Sequence, residues 1–215
     1  MDLFDAISRR KSCRKYISEP LSEMQLEEIE MVLHTFEPLF PNASLNYRFV
    51  NETTGMFNIK APHYLVISGE GKEREKENAG FIGEQFMLWL DVHELGGVWL
   101  GSSKDATVQR NNFDIIVIAF GKPEGSPHRE LSEFKRKNIS EITNNIGDEC
   151  IKAVHLAPSG LNLQPWYFEK KGDRVLVYRQ LLKPPTSLAY KLTKVDIGIA
   201  LCHYAMACNH FGKDF

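Results

Sequence analysis

The hexapeptide RKYISE begins at Arg14 and returns as RKNISE at Arg136, 122 residues later in a chain of 215. The same register pairs Ile29 with Ile151 and Val32 with Val154, and a similar order of elements follows each copy. Near the ends of two long apolar segments, Leu95-Gly96 and Phe211-Gly212 correspond at an offset of 116, which a few loop deletions account for. A unit copied once is too few for a solenoid and points to two units sharing one core, like a homodimer written into a single chain. We therefore expect an α+β fold of two αβ half-domains, residues 1–135 and 136–215, forming a pseudo-twofold pair around long core helices.

Periodicity supplies the elements. Asp2 to Arg10 reads as a short helix, and Ser18 to Phe36 as a second, with Ser22 capping it ahead of Leu26, Ile29, Val32 and Leu33. Strands are expected near Asn46, from Pro62 to Gly69 and from Asp114 to Gly121, while the charged run GKEREKEN reads as a solvated turn before a helix from Ala79 to Gly96. The second half repeats this plan with a helix around Cys150 to Leu156, a Pro/Gly/Asn loop, strands WYFEKK and RVLVYR, a Pro184-Pro185 loop and a helix from Val195 to Gly212.

Several function classes recede at this point. A formal net charge of -2 gives no overall drive toward nucleic acid or an anionic membrane. The N-terminus lacks an apolar stretch of signal-peptide length. The apolar segment from Phe81 to Trp99 carries Glu84, Asp91, His93 and Glu94, and that from Val195 to Met206 is too short for a bilayer, so both read as buried core helices. Cys13, Cys150, Cys202 and Cys208 form no CxxC pair and the seven histidines are scattered, so we expect no metal site and reduced thiols in a cytoplasmic protein.

Three segments carry candidate chemistry. AISRRKSCRKY packs Arg9, Arg10, Lys11, Arg14 and Lys15 around Ser12, a set that suits a phosphate monoester because guanidinium forks donate several charge-assisted hydrogen bonds; a basic helix end complementing the helix dipole is the plainer alternative. HLAPSGLNLQPWYFE offers backbone amides and the amides of Asn162 and Gln164 to the edge of a planar heterocycle, against the alternative of an ordinary turn with a buried Trp. In HELGGVWLGSS, Gly96 and Gly97 either let the backbone approach a flat ring or simply end a helix. Trp89 and Trp99 read as packing residues.

Together these segments resemble the FMN-dependent nitroreductase family, whose pattern has a basic Arg-Arg-Ser-x-Arg helix end and an Ala-Pro-Ser-x-x-Asn-x-Gln-Pro-Trp loop. Ala157 through Trp166 agrees at every defined position, and Arg10-Lys11-Ser12-Cys13-Arg14 agrees if Lys11 replaces the second arginine. The family keeps both motifs in one half of the chain, whereas here they lie about 150 residues apart and FEPLFPNASLNYRFV stands where the first half's loop belongs. In homodimeric relatives one subunit supplies the basic motif and its partner the loop, so the split is similar to the single-chain, internally duplicated branch of the family, the TM nitroreductases, with one complete site kept.

The resemblance implies that Arg10, Lys11, Ser12, Arg14 and Arg129 hold the FMN phosphate. It implies further that Pro158, Ser159, Gly160 and Asn162 line the flavin from one side and Gly96 and Gly97 from the other, with Lys60 near flavin N1 and O2. No side chain is implied as a catalytic acid or base, since flavin N5 carries the chemistry: two electrons pass in ping-pong fashion from NADH or NADPH to a small acceptor, nitroaromatic or quinone-like. A non-catalytic flavin-binding or sensor protein is the alternative. No macromolecular partner is implied, and a monomer suffices for a fused pair.

Overall fold

The computed structural model describes residues 2–55, 59–106, 113–182 and 192–215, and the Pro184-Pro185 loop lies outside them. The chain opens with α1 (Leu3–Ile7), shorter than expected because its last turn is followed by an extended basic segment, and α2 (Glu23–Leu33). Ser22 caps α2 as its sequence predicts: its hydroxyl accepts from the Gln25 amide while the Gln25 side chain accepts from the Ser22 amide, a capping box. Strands β1 (Asn46–Val50), β2 (Thr53–Thr54) and β3 (His63–Ser68) follow, then helix α3 (Glu75–Val92), β4 (Gly96–Leu100), β5 (Lys104–Asp105) and β6 (Asp114–Gly121). The second half contributes α4 (Glu149–Leu156), the hairpin β7 (Trp166–Lys171) and β8 (Arg174–Arg179), and α5 (Thr193–His210).

The main sheet has the order β1-β3-β6-β4, antiparallel throughout. Its central strands β3 and β6 are buried along nearly their whole length, which suits their continuous runs of branched residues, HYLVIS and DIIVIAFG. β2 and β5 form a separate two-stranded ribbon. The largest core cluster takes Leu33, Leu65, Phe86 and Phe120 from before residue 135 and Ile151, Trp166, Phe168 and Ile199 from after it. Among the described residues no helix is long and apolar enough to cross a membrane.

Two expectations need correcting. The charged run is not a solvated turn throughout, because α3 begins at Glu75, which is buried and whose carboxylate accepts from the amides of Glu70, Gly71 and Lys72 at 2.8–3.0 Å. The long helix also ends before the glycines. His93 is its C-cap, Glu94 takes the left-handed conformation (φ 57°), and the Leu95 amide donates to Leu90 O at 2.8 Å, so the chain is reversed by residue 95 and Gly96 starts a strand.

At the centre α3 and α5 cross. Both are 18 residues long, and their landmarks share one offset, 118: Glu75 with Thr193 at the starts, His93 with Phe211 at the C-caps, and the left-handed Glu94 with the left-handed Gly212 (φ 62°). This replaces the offset of 116 read from the Leu-Gly and Phe-Gly pairs. The crossing is reciprocal. A Cβ on Gly80 would collide with the Val195 carbonyl, and a Cβ on Gly198 with the Glu77 carbonyl, the same contact with the helices exchanged, as a twofold axis through the crossing requires. Missing side chains at these two positions let the backbones touch. Gly80→Ala and Gly198→Ala should each lower unfolding free energy by about 3 kcal/mol, toward the upper end of overpacking costs, whereas Gly147→Ala, with open space at its Cβ, should stay within about 0.5 kcal/mol of the wild type. Urea titration of the three variants checks this, and equal effects at all three positions would contradict it.

Candidate functional site

The basic segment is built into the sheet. Past α1 the chain runs extended between β4 and the stretch that follows β6: Ser12 bridges Gly97 in parallel, Arg10 bridges His128 and Tyr16 bridges Pro123 antiparallel. The Cys13 amide donates to Gly97 O at 3.0 Å, and the Tyr16 hydroxyl lies 2.9 Å from Cys13 O and 3.1 Å from Ala119 O. This explains the glycines. A Cβ at Gly96 would fall 2.6 Å from the Cys13 Cβ, and one at Gly97 would fall 2.6 Å from the Met87 sulfur on α3 beneath. Gly96 and Gly97 are therefore the floor against which the motif lies, and Trp99 is a strand residue whose indole N–H donates to Glu84 Oε2 at 3.0 Å.

The cations of the motif divide by role. Arg9 bonds the buried Asp91 at 2.8 Å and so ties α1 to α3. Arg10, 4% exposed, places Nε 3.4 Å from Glu84 Oε1, leaving its Nη1 buried without a hydrogen-bond partner among the described residues. Glu84 is fully buried and also lies 3.0 Å from His203 Nε2, whose Nδ1 is 2.9 Å from Ala153 O. Ser12 and Lys11 are half-buried, and Arg14 is exposed, its Nη1 donating to Ser12 O at 3.4 Å.

Arg129 joins this group from the stretch that follows β6. Its Nε donates to Arg10 O at 3.1 Å and its guanidinium lies 3.6 Å from the centre of the Phe134 ring. Arg136 approaches the same ring at 5.3 Å. Burial, and after it the charge of Arg10, pushes the Arg129 guanidinium down to about 10; burial and the charges of Arg129 and Arg10 do the same to Arg136. Like charges are thus concentrated where water is scarce.

The loop after α4 reaches this cluster through Arg136. Asn162 accepts from Arg136 Nη1 at 3.1 Å and donates to Lys135 O at 2.7 Å, so its amide grips the segment that carries the arginine. Within four residues Leu161 (φ 51°), Asn162 (φ 58°) and Gln164 (φ 44°) adopt left-handed backbone, uncommon for non-glycine residues and costing of order 1–3 kcal/mol each. Gln164, 1% exposed, holds the shape: its Oε1 accepts from the Lys137 amide at 2.9 Å and its Nε2 donates to Asn162 O at 2.8 Å, while its own amide donates to Ser159 Oγ at 2.8 Å.

Helix α5 fixes the same loop from below. The Gly160 amide donates to Asp196 Oδ1 at 2.9 Å, and the equivalent residue of α3, Asn78, accepts from the Phe40 amide at 2.8 Å and donates to Phe40 O and Ala43 O. The FEPLFPNAS loop is accordingly anchored where the Pro-Ser loop is, by the matching position of the partner helix.

The structure thus brings Arg10, Ser12, Arg14, Gly96, Gly97 and Arg129 into one neighbourhood and joins Asn162 to it. Pro158, Ser159 and Gly160 follow on the same loop. Lys60 is exposed and lines a cleft of about 500 Å³ with Tyr16, Ser18, Thr53, Pro62 and Tyr64, at the downstream end of the basic segment, and the contacts that join the arginines do not extend to it. Sequence reasoning missed Arg136, Phe134, Asp196 and the Glu84–His203 pair. The hexapeptide repeat already marked Arg136 as the counterpart of Arg14, and Glu84 stood out as an acid inside an apolar helix.

The profile of the family described as "Putative TM nitroreductase" matches residues 2–208. The solved structure of a putative nitroreductase from Thermotoga maritima superimposes with a TM-score of 0.71 at 24% identity, covering 100% of this chain and 87% of that one. A nitroreductase family protein from Clostridium difficile gives 0.51 at 17% identity over 66% of this chain and 96% of its own. A putative NADH dehydrogenase/NAD(P)H nitroreductase from Parabacteroides distasonis gives 0.52 at 14% over 66% and 97%. These likenesses show the fold. No curated protein matches the chain.

Burial pushes the Asp196 carboxyl up to about 6 against the opposing effect of the Gly160 amide. Because the unfolded carboxyl titrates near 3.9, this group favours the fold fully below about pH 4, and the contribution, roughly 3 kcal/mol, is lost as pH rises through about 6. Asp196→Asn, which installs the residue found at position 78, should remove that slope and leave the variant at least as stable as the wild type at pH 7.5. Urea titrations at pH 4.5 and 7.5 measure it; parallel pH profiles would show that Asp196 does not titrate this way.

Proposed function

The chain belongs to the family described as putative TM nitroreductases, and from that premise we propose that it is an oxidoreductase that binds FMN in one composite site per chain. The observation that carries the reading is the buried Arg10 Nη1, unpartnered among the described residues, near Arg129 in a cluster of like charges that an anion would neutralise. A phosphate monoester fits such a donor set. Bound there, FMN supplies two-electron transfer from NADH or NADPH to a small acceptor, nitroaromatic or quinone-like. The Parabacteroides protein's description as an NAD(P)H nitroreductase supports the choice of donor.

In this reading Arg10, Ser12, Arg14 and Arg129 hold the phosphate, with Lys11 at the rim. Gly96 and Gly97 would line the flavin from the first half, Pro158, Ser159, Gly160 and Asn162 would line it from the second, and Lys60 would supply a cation that favours the reduced ring. Glu84 keeps Arg10 in place, and the left-handed turn at Leu161 and Asn162 presents the loop in a preformed shape. The site draws on both sides of residue 135 because the chain is a fused pair, a reading supported by the reciprocal glycine contacts of α3 and α5.

Heat release should give one FMN per chain, and anaerobic NADH should bleach the yellow protein. Ser12→Ala and Arg14→Ala should each weaken FMN binding about tenfold to a hundredfold, as expected for one charge-assisted contact. These two positions are preferred to Arg10, whose loss would also strand the buried Glu84 carboxylate. Two flavins per chain, or unchanged FMN titrations in both variants, would refute the composite site.

A further inference from the structure

Two of the four cysteines meet between helices of the second half. Cys150 stands in the first turn of α4 and Cys208 in the last turn of α5; both are buried as free thiols, and their sulfurs lie 3.7 Å apart. Cys13 packs instead against Gly96, and Cys202 is fully buried nearer the middle of α5. The pair sits at the edge of the fold, because residues 209–215, which follow Cys208, are all exposed. Lys213 holds this chain end: its amide donates to Cys208 O at 2.8 Å, and its Nζ lies 3.1 Å from Asp148 Oδ1. The same Asp148 oxygen caps α4 by accepting from the Cys150 amide at 2.9 Å. One lysine thus ties together the two helix ends that carry the thiols, and its charge favours the ionised form of each.

To bond, the two sulfurs must close to about 2 Å, an approach within reach of side-chain rotation. Burial ordinarily leaves a cysteine inert, and it pushes both thiols up here, Cys150 to about 12 with a further rise from Cys208. Cys208 is the better nucleophile, because Cys150, the Tyr204 hydroxyl and Lys213 all pull its ionisation back down. A helix end opens at far lower cost than a whole fold, so fraying of the last turn of α5 admits a small reagent. We infer that Cys150 and Cys208 form a reversible disulfide whose oxidant is a hydroperoxide. The Cys208 thiolate attacks one oxygen of hydrogen peroxide, an S–O bond forms as the O–O bond breaks, and the leaving hydroxide takes up a proton as water. The Cys150 sulfur then attacks the sulfenic sulfur, an S–S bond replaces the S–O bond, and a second water carries off the Cys150 proton. Two thiols are oxidised to one disulfide, and one peroxide is reduced to two waters. The bond fastens α4, which leads into the Pro158–Asn162 loop, to α5, whose Asp196 holds Gly160. Nothing in this chemistry depends on the flavin reading.

The full-length chain, as wild type, Cys150→Ala and Cys208→Ala, is treated with hydrogen peroxide under native conditions beside glutathione, with thermal unfolding recorded to confirm that each variant is folded. Remaining thiols are then alkylated in denaturant and the peptides are mapped without reduction. The wild type should keep Cys13 and Cys202 alkylated and yield Cys150 and Cys208 as one linked peptide pair, which dithiothreitol separates. Its linkage should form at least as fast as glutathione is oxidised. In Cys150→Ala the reaction should stop at a Cys208 sulfenic acid that dimedone traps, whereas Cys150 in Cys208→Ala should stay a thiol. Four alkylated thiols in the wild type after the glutathione is consumed would overturn the inference, as would linkage that appears only in denaturant or a linked pair that includes Cys13 or Cys202. Dimedone trapped at Cys150 in Cys208→Ala, with none at Cys208 in Cys150→Ala, would overturn the assigned order of attack.

Discussion

Everything in this molecule is hung on the contact between two helix backbones. Because Gly80 and Gly198 carry no side chain, α3 and α5 pass close enough for each to meet a carbonyl of the other. That crossing fixes where every outward residue of the pair arrives. Asn78 and Asp196 each reach the loop of their own half. Glu84 meets His203 across the crossing and then Arg10 and Trp99 beyond it. The site inherits its geometry from the crossing through a few hydrogen bonds, and the sheet is packed against α3 by Phe86, Met87 and Leu90.

Much of this was legible in the chain, for physical reasons that differ by element. The cap at Ser22, strands β1, β3 and β6 and helix α4 announced themselves through local chemistry and periodicity, which tertiary context did not override. β4 was illegible because Gly96-Gly97 is a helix-ending signal in sequence, whereas the reversal is done by Glu94, a residue with no preference for the left-handed region. The start of α3 was obscured by its charges: Glu75 is buried because its carboxylate caps the preceding turn, a role that composition reports as exposure. The offsets of 122 at the hexapeptides and 118 at the helices differ by four residues, a difference too small to see in any one segment.

For the site, sequence supplied the residue types and the structure supplied their division of labour. Of the cations around Ser12, Arg9 bonds Asp91 and Arg10 reaches Glu84 through Nε with its Nη1 left open among the described residues, so these two are not the solvated helix end of the plainer alternative. The two loops have diverged at their anchors: Asn78 closes three hydrogen bonds with a neutral amide, whereas Asp196 keeps a carboxylate under a single amide. Spacing along the chain contains no information about either arrangement, since each depends on which loop or basic residue the fold brings against α3 or α5.

The basic segment has one more consequence. β4 is the last strand of its sheet, and its free edge would expose unpaired amides and carbonyls next to Val98 and Leu100. Ser12 and Cys13 cover that edge at Gly97, and Arg14 and Lys15 beside them are exposed charges. The stretch proposed to hold the phosphate therefore also covers an edge open to strand-to-strand association between molecules. Releasing this extended segment would open that edge to other copies in solution, whatever else the segment does.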